Sequence, residues 1–597
     1  MEFIAHNFVP LLFLGLLFFL LTGFPVAFCL AATGLTFGLI GMEVGLFQPT
    51  LFQALPLRIF GIMQNDTLLA VPFFTFMGII LERSGMAEDL LETVGQMFGP
   101  LRGGLALATI FVGALLAATT GVIAAAVISM GLISLPIMLR YGYNRSIATG
   151  VITASGTLAQ IIPPSLVLIV MADQLGRSVG DMYAGAVVPG LLLVGLFALF
   201  IVTLAIFRPS WVPALPPEAR IYREPDGASG HISLLAILII SVAAAFGWAA
   251  LHGGIINPLM GREGAAPMDE VLTVSMTVAA FFALALALAN RWLHLGLLSQ
   301  LTERVVFVLL PPLVLIFLVL GTIFLGIATP TEGGAMGATG ALIMAVARRR
   351  LGFDLLKQAL DNTAKLSCFV MFILIGATVF SFTFNAADGH LWVEHLFAKL
   401  PGGQLGFLIA VNLLVFVLGC FIDFFEIAFI VIPLLVGVAE KLGIDLVWFG
   451  VIIGMNLQTS FLSPPFGFAL FYLRSVAPRT DYNDRVTNER IPAVTTAQIY
   501  KGAFVFIILQ LIMLAVVIAY PTLVTDRLDK APKVSLESIK LEAETGSYGK
   551  KDEADPMKAL NPQPSADQAV LPAGGAAKEE DPMEAVRRAI TEDAKKK

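Results

Sequence analysis

The stretch GVITASGTLAQIIPP (150–164) is answered about 300 residues later by GVIIGMNLQTSFLSPP (450–465). Each begins as an apolar helix and ends on a proline pair that interrupts it. Other landmarks keep the same order: Pro25 with Pro330, Gly103-Gly104 with Gly402-Gly403, Pro136 with Pro433. The offsets drift only between 297 and 305. Any single pair is weak in a chain with 55 Gly and 33 Pro, but five in register are hard to reach by chance. Interrupted hydrophobic segments at matching places in two halves point to a transporter's binding site.

Composition agrees. Hydrophobic residues make up 57% and charged residues 13%, with a mean hydropathy of +0.86. Soluble domains carry roughly 25% charge. Apolar runs long enough to cross about 30 Å of hydrocarbon recur from Phe8 to Tyr520. The net charge of -6 is small for 597 residues, and no basic cluster suggests nucleic acid. The first run lacks a basic leader and leads straight into another, so it reads as retained in the membrane. Cys29, Cys368 and Cys420 are far apart in apolar stretches and read as small buried hydrophobes. His390 to His395 has three residues between His390 and Glu394, one too many for an inverted zinc motif.

The expected fold class is an all-α polytopic membrane protein built from two inverted-topology repeats. Residues 1–207 form the first repeat. Phe8–Phe47 holds two spans divided at Pro25, and Leu68–Leu81 makes a third. Glu82–Phe98 is an amphipathic surface helix. A re-entrant hairpin over 105–139 turns at Thr119-Thr120-Gly121, Ile147–Leu175 is a broken helix, and Ala184–Phe207 closes the half. Residues 305–524 repeat the list: spans at Val305–Leu325, Gly333–Ala347 and Leu366–Phe384, a surface helix near Glu394, a hairpin over 405–438 with Asp423 at its middle, a broken helix over Leu446–Tyr472, and a last span to Tyr520. Residues 208–304 are a linker with two extra apolar helices. Residues 525–597 are a polar tail whose composition suits disorder.

Lys and Arg in short loops set orientation. Arg348–Arg350, the Arg208/Arg220/Arg223 linker and Arg140/Arg145 are expected on the cytoplasmic side of a bacterial inner membrane. Five spanning elements per half, an odd number, insert the halves upside down relative to each other.

Half-helix ends leave backbone groups unpaired, which hydrocarbon tolerates only where a cavity, ion or substrate satisfies them. N–H ends suit a carboxylate, and C=O ends suit sodium. The candidate sodium ligands are Thr119, Gly121, Ser155, Gly156 and Thr157 in the first half. Asp423, Asn456, Thr459 and Ser460 are their counterparts in the second. Thr120, Gly121, Pro164, Asp423 and Pro465 are the candidate substrate contacts. Asp423, flanked by Phe421, Ile422, Phe424 and Phe425, is an ionisable group inside a span and a functional suspect by default. Gly, Ser and Thr also serve close helix packing; their duplication favours the site. Glu332, after Thr329-Pro330-Thr331, suits an N-terminal cap equally well. No GxxxxGK[ST], HExxH or GxSxG occurs, so neither ATP nor a familiar membrane-enzyme chemistry is expected.

At these residues the chain resembles the large membrane subunit (M, DctM-type) of TRAP transporters, the tripartite ATP-independent periplasmic family. The resemblance runs over Thr22–Phe207 and Val305–Tyr520. It rests on Gly23–Ala27, Leu101–Leu105, Ser155–Ser165, Ala328–Glu332, Gly419–Asp423 and Ser463–Gly467. It implies sodium-coupled import of organic acids, usually carboxylates, by an elevator movement of hairpins and broken helices. It also implies a periplasmic substrate-binding protein and a small membrane subunit (Q-type). Two features depart from the family. The first hairpin tip reads Thr119-Thr120-Gly121-Val122 where Ser-Gly-Ser is common, which puts side-chain ligation there in doubt. The 208–304 insertion is unusual and too short for a fused small subunit, so that partner is expected on a separate chain.

Two readings compete with a binding-protein-dependent permease. One is a stand-alone sodium/carboxylate symporter of similar fold. The other, from a different class, is an intramembrane enzyme or structural subunit.

Overall fold

A computed structural model describes residues 2–121, 123–222, 230–261, 266–294, 296–398, 400–484, 486–526 and 528. The polar tail expected over 525–597 lies, from residue 529 onward, outside the described residues. The described chain is helical apart from one two-residue ladder.

The first half runs α1 (Glu2–His6), α2 (Phe8–Leu21), α3 (Val26–Glu43), α4 (Leu55–Met63), α5 (Ala70–Arg83) and α6 (Met86–Phe98). It continues as α7 (Gly104–Thr120), α8 (Ile123–Arg140), α9 (Arg145–Thr157), α10 (Leu166–Leu175) and α11 (Val179–Phe207). The insertion supplies α12 (His231–Leu259) and α13 (Met268–Leu293). The second half runs α14 (Gln300–Phe324), α15 (Pro330–Ala347), α16 (Phe353–Ala386), α17 (Gly389–Ala398) and α18 (Gly403–Gly419). Then α19 (Phe424–Glu426) passes through a π turn at Ile427–Val431 into α20 (Ile432–Lys441). The rest is α21 (Leu446–Ser460), α22 (Phe468–Val476), the strands β1 (Tyr482–Asn483) and β2 (Arg490–Ile491), α23 (Thr496–Ala519) and α24 (Thr522–Thr525). Among the described residues, eight helices are long and apolar enough to cross a membrane; the bent pair Pro49–Met63 and Thr67–Arg83 makes up to nine.

The duplication is visible in local chemistry. Gly103 and Gly402, both at positive φ, open the two hairpins, a backbone region that favours glycine. Asn144 accepts from the N–H groups of Ser146 and Ile147 to cap α9, and Asp445 accepts from Trp448 N–H to cap α21. Both proline pairs, Pro163-Pro164 and Pro464-Pro465, contain a cis peptide. Packing is exchanged crosswise: α3 lies on α16, and its counterpart α15 lies on α5. Such an exchange is the mark of a pseudo-two-fold axis.

The hairpins open toward opposite ends of α11. The first has its mouth beside the C-terminal end, where Gly103 N–H donates to Val212 O at 2.8 Å and Asn144 N–H to Trp211 O at 2.9 Å. The second has its mouth beside the N-terminal end, where Arg177 pairs with Glu440 at 3.9 Å. The Arg-rich loops gather at the first mouth. Arg140 pairs with buried Asp484 at 2.9 Å, while Arg348, Arg350 and Arg304 converge on Asp89 of α6 at 3.0, 3.3 and 3.7 Å. α6 also holds the linker, since Gln96 Nε2 donates to Ala219 O at 3.0 Å. The described chain ends at the other face: Val524 packs close to Gly185 and Val447.

Three features differ from expectation. The span expected at Leu366–Phe384 is part of a 34-residue helix, α16. Its first turns carry Asp354, Lys357, Asp361 and Lys365 at helical spacing, a polar stripe that hides the helix from a hydropathy reading. α4, bent by 47° from the segment that follows, has Pro56 and Arg58 and no buried residue. Cys368 is exposed on α16 rather than buried, whereas Cys29 and Cys420 are buried. The inserted pair α12–α13 packs on α14 through its own small cluster of Ile237, Ala283, Ala287 and Val306. Fully buried His252 and Glu270 join the two helices at 2.8 Å.

Candidate functional site

A cavity of about 150 Å³ lies where both hairpin tips and both helix breaks meet. The first half contributes Gly121, Ile123 and Ala124 from its tip, and Gln160, Leu166 and Val167 from its break. The second half contributes Asp423, Phe424 and Phe425 from its tip, and Phe461, Phe468 and Tyr472 from its break. Leu366 of α16 closes one side. A shift of 301 residues carries Ile123 to Phe424, Ala124 to Phe425, Gln160 to Phe461 and Val167 to Phe468. The cavity therefore sits between symmetry-related elements, with small or aliphatic residues and Gln160 facing a wall rich in aromatic rings.

Four helix starts border it: α8 at Ile123, α10 at Leu166, the α19–α20 run at Phe424, and α22 at Phe468. The first N–H groups of a helix lack intrahelical partners and carry partial positive charge. These starts are closed unequally. Asp423 accepts from Phe424 N–H at 2.7 Å, and Glu426 Oε2 accepts from Asp423 N–H at 3.1 Å, a capping box. At α22, Ala469 N–H donates to Phe461 O at 3.1 Å. α10 has no side-chain cap, because Ser165 Oγ donates instead to Gln160 O at 2.8 Å. An uncapped start facing a cavity is a receptor for a carboxylate.

Of the candidate substrate contacts, Gly121 and Asp423 line the cavity. Pro164 and Pro465 do not: Pro164 is buried beside the break, while Pro465 is exposed and its carbonyl accepts from Tyr500 OH at 3.1 Å. The prolines interrupt the helix, and the residues that restart it reach the cavity. The side chains of Thr119 and Thr120 lie outside the described residues.

The remaining candidate ion ligands sit behind the cavity, where the hairpins press on the broken helices. A Cβ added to Gly113 would lie 2.5 Å from Ser155 Cβ, and one added to Gly419 would lie 2.7 Å from Ser460 Cβ. Gly156 admits α8 in the same way, since a Cβ there would meet Val127 Cγ2 at 2.3 Å. Ser155 Oγ is buried without a hydrogen-bond partner among the described residues. Thr157 Oγ1 donates to Ala154 O and accepts from Nε2 of Gln458 and Gln510, both at 3.3 Å. In the second half Asn456 Nδ2 donates to the Asn412 backbone O at 2.6 Å, and the side-chain Oδ1 of Asn412 is buried without a partner among the described residues. Thr459 and Ser460 donate to Met455 O and Asn456 O. No group of three or more His, Cys, Asp or Glu able to hold a metal occurs among the described residues.

Gln160 belongs to none of the sequence motifs that mark the candidate ligands. It is 1% exposed, and neither of its amide atoms has a hydrogen-bond partner among the described residues. Leaving such a group unsatisfied costs about 1–3 kcal/mol. The available signal was a lone polar side chain between Ala159 and Ile161 next to a proline break.

A helical membrane protein with two crosswise-packed repeats and helix starts around a central cavity has the architecture of a transport protein. The chain belongs to the DctM family: the family model described as "Tripartite ATP-independent periplasmic transporter, DctM component" matches residues 13–523. It is 28% identical over 441 residues to the C4-dicarboxylate TRAP transporter large permease protein DctM of Pseudomonas aeruginosa, covering 74% of this chain and 84% of that protein. It is 26% identical to the sialic acid TRAP transporter large permease protein SiaM of Vibrio cholerae, over 78% and 88% of the two chains. It is 25% identical to the isethionate TRAP transporter permease protein DctMQ of Oleidesulfovibrio alaskensis, over 70% of this chain and 53% of that one. The protein is thus the large permease component of a multi-pass, tripartite transport system, and its family implies a small membrane subunit and a periplasmic binding protein as partners.

Proposed function

We propose that this permease imports a small organic acid across the bacterial inner membrane, coupled to sodium and supplied by a periplasmic substrate-binding protein. The observation that carries the reading is the uncapped start of α10 opposite Asp423 in a cavity between the two hairpin tips. A carboxylate suits the helix start, and a sodium ion would offset the Asp423 charge beside it. The volume, about 150 Å³, is below the roughly 300–1,000 Å³ of sites for drug-sized ligands, which favours a small acid.

Ser155 Oγ in the first half and Asn412 Oδ1 in the second are buried oxygens without donors. They support one sodium position behind each hairpin, completed by backbone carbonyls at the helix breaks. The elevator movement would carry the hairpins and broken helices past α3, α5, α15 and α16, with Leu366 at the sliding surface. The small membrane subunit is a separate chain in this reading. The match spans most of the unfused P. aeruginosa relative but only 53% of the fused one.

The test is uptake into proteoliposomes holding the permease, its small subunit and its binding protein, with and without a sodium gradient. Uptake of a carboxylate that needs inward sodium and carries at least two sodium ions per substrate is the expected result. Sodium-independent uptake would refute coupling.

A further inference from the structure

We infer that Gln160 determines which acids this cavity accepts, selecting those with a hydroxyl or keto oxygen beside the carboxylate and an apolar carbon body. The inference rests on the cavity being the transport site.

Gln160 differs from the other buried glutamines nearby. Gln458 and Gln510 each spend their Nε2 on Thr157 Oγ1 at 3.3 Å. Gln160 spends nothing: Nε2 and Oε1 are both shut off from solvent without a partner among the described residues, and the residue lines the cavity. Its backbone is nonetheless held, because Gln160 O accepts from Ser165 Oγ at 2.8 Å across the break. A buried amide whose Nε2 has no acceptor is matched by a ligand that offers an oxygen.

Its place relative to α10 decides which oxygen. Gln160 and Leu166 flank the same break and line the same cavity, so the amide borders the helix start that would hold the carboxylate. A substituent oxygen adjacent to that carboxylate is the group within its reach. Opposite lie Phe424, Phe425 and Phe461, all buried, with the Phe424 and Phe425 ring centroids 4.0 Å apart. The symmetry counterpart of the α10 start is not equivalent, because Ala469 N–H is already bonded to Phe461 O. A second carboxylate would therefore meet rings and the Asp423 side chain, which disfavours short dicarboxylates.

Binding to the purified full chain in nanodiscs, in sodium buffer, read as a ligand-induced thermal shift, tests this. The probes are 4-methyl-2-oxopentanoate, its deoxo analogue 4-methylpentanoate, and succinate. The oxo acid should bind about tenfold more tightly than either, the scale of one added hydrogen bond. Gln160→Leu should erase the preference over 4-methylpentanoate. Succinate binding as tightly as the oxo acid, or an unchanged preference in Gln160→Leu, overturns the inference while leaving the transport-site reading standing. Should the leucine variant not fold, Gln160→Asn decides in its place: a reduced preference supports the role and an unchanged one refutes it. Failure of all three acids to bind the wild-type chain refutes the transport-site reading, and this inference with it.

Discussion

The N–H of Asp423 donates to Oε2 of Glu426 at 3.1 Å, while the Asp423 side chain accepts from Phe424 N–H. The acid proposed to face the substrate thus also starts the second limb of its hairpin. Asp423→Asn separates the two tasks, since Asn caps helices about as well as Asp but carries no charge. The variant should melt close to the wild type, while sodium-driven uptake falls about tenfold or more, the equivalent of losing about 1.4 kcal/mol of ion contact. Parallel melting curves and proteoliposome uptake check it. Normal uptake would remove Asp423 from the coupling site.

Hairpin packing should be intolerant of a single methyl group. In Gly419→Ala the new Cβ would lie 2.7 Å from Ser460 Cβ and 2.9 Å from its Oγ. Overpacking of this kind costs about 1–3 kcal/mol, and a lowered melting temperature with lost uptake is expected. Gly437→Ala in α20, with nothing within 4 Å of the new Cβ, is the control. It should be neutral or gain about 0.4–1 kcal/mol.

The Arg140–Asp484 pair ties the first hairpin's mouth to the loop between α22 and α23. Burial pushes the Asp484 carboxyl up, but the N–H groups of Thr487 and Val486 together with Arg140 hold it below its ordinary value. A depressed acid adds stability above its unfolded-state value, near 3.9, and loses it as pH falls through the folded-state value. Asp484→Asn should cost about 1.5–3 kcal/mol at neutral pH, the range for a hydrogen bond to a charged group. The gap between the two melting temperatures should narrow below about pH 4. A constant gap across that range would show that the charge contributes nothing.

The end of α24 should face the periplasm. Val524 packs near Gly185 and Val447, at the face opposite the Arg348–Arg350 loop. The positive-inside rule assigns that loop to the cytoplasm. Asp526→Cys, in a chain whose Cys29, Cys368 and Cys420 are replaced, should react with an impermeant maleimide in intact spheroplasts. Reaction only after permeabilisation would invert the topology.

Gly103, Gly402, Pro163-Pro164, Pro464-Pro465 and the apolar runs between them were enough to read two repeats, two hairpins and two broken helices. Hydrocarbon makes this legible: backbone groups there must be satisfied within each helix, so every break stands out as a local composition signal. Asp423 was legible for the same reason, as a charge among phenylalanines. α4 and the polar first turns of α16 were not, because nine residues with Pro56 and Arg58, or a start carrying Asp354, Lys357, Asp361 and Lys365, do not make an apolar run of spanning length. The membership of the cavity was decided only by tertiary structure. Gln160 and Phe461 occupy matching positions 301 residues apart, yet one is an idle amide and the other part of an aromatic wall. Which polar side chains find partners depends on how α9, α21 and α23 cross. There Thr157 Oγ1 takes the Nε2 of Gln458 and of Gln510, while neither amide atom of Gln160 has a partner among the described residues.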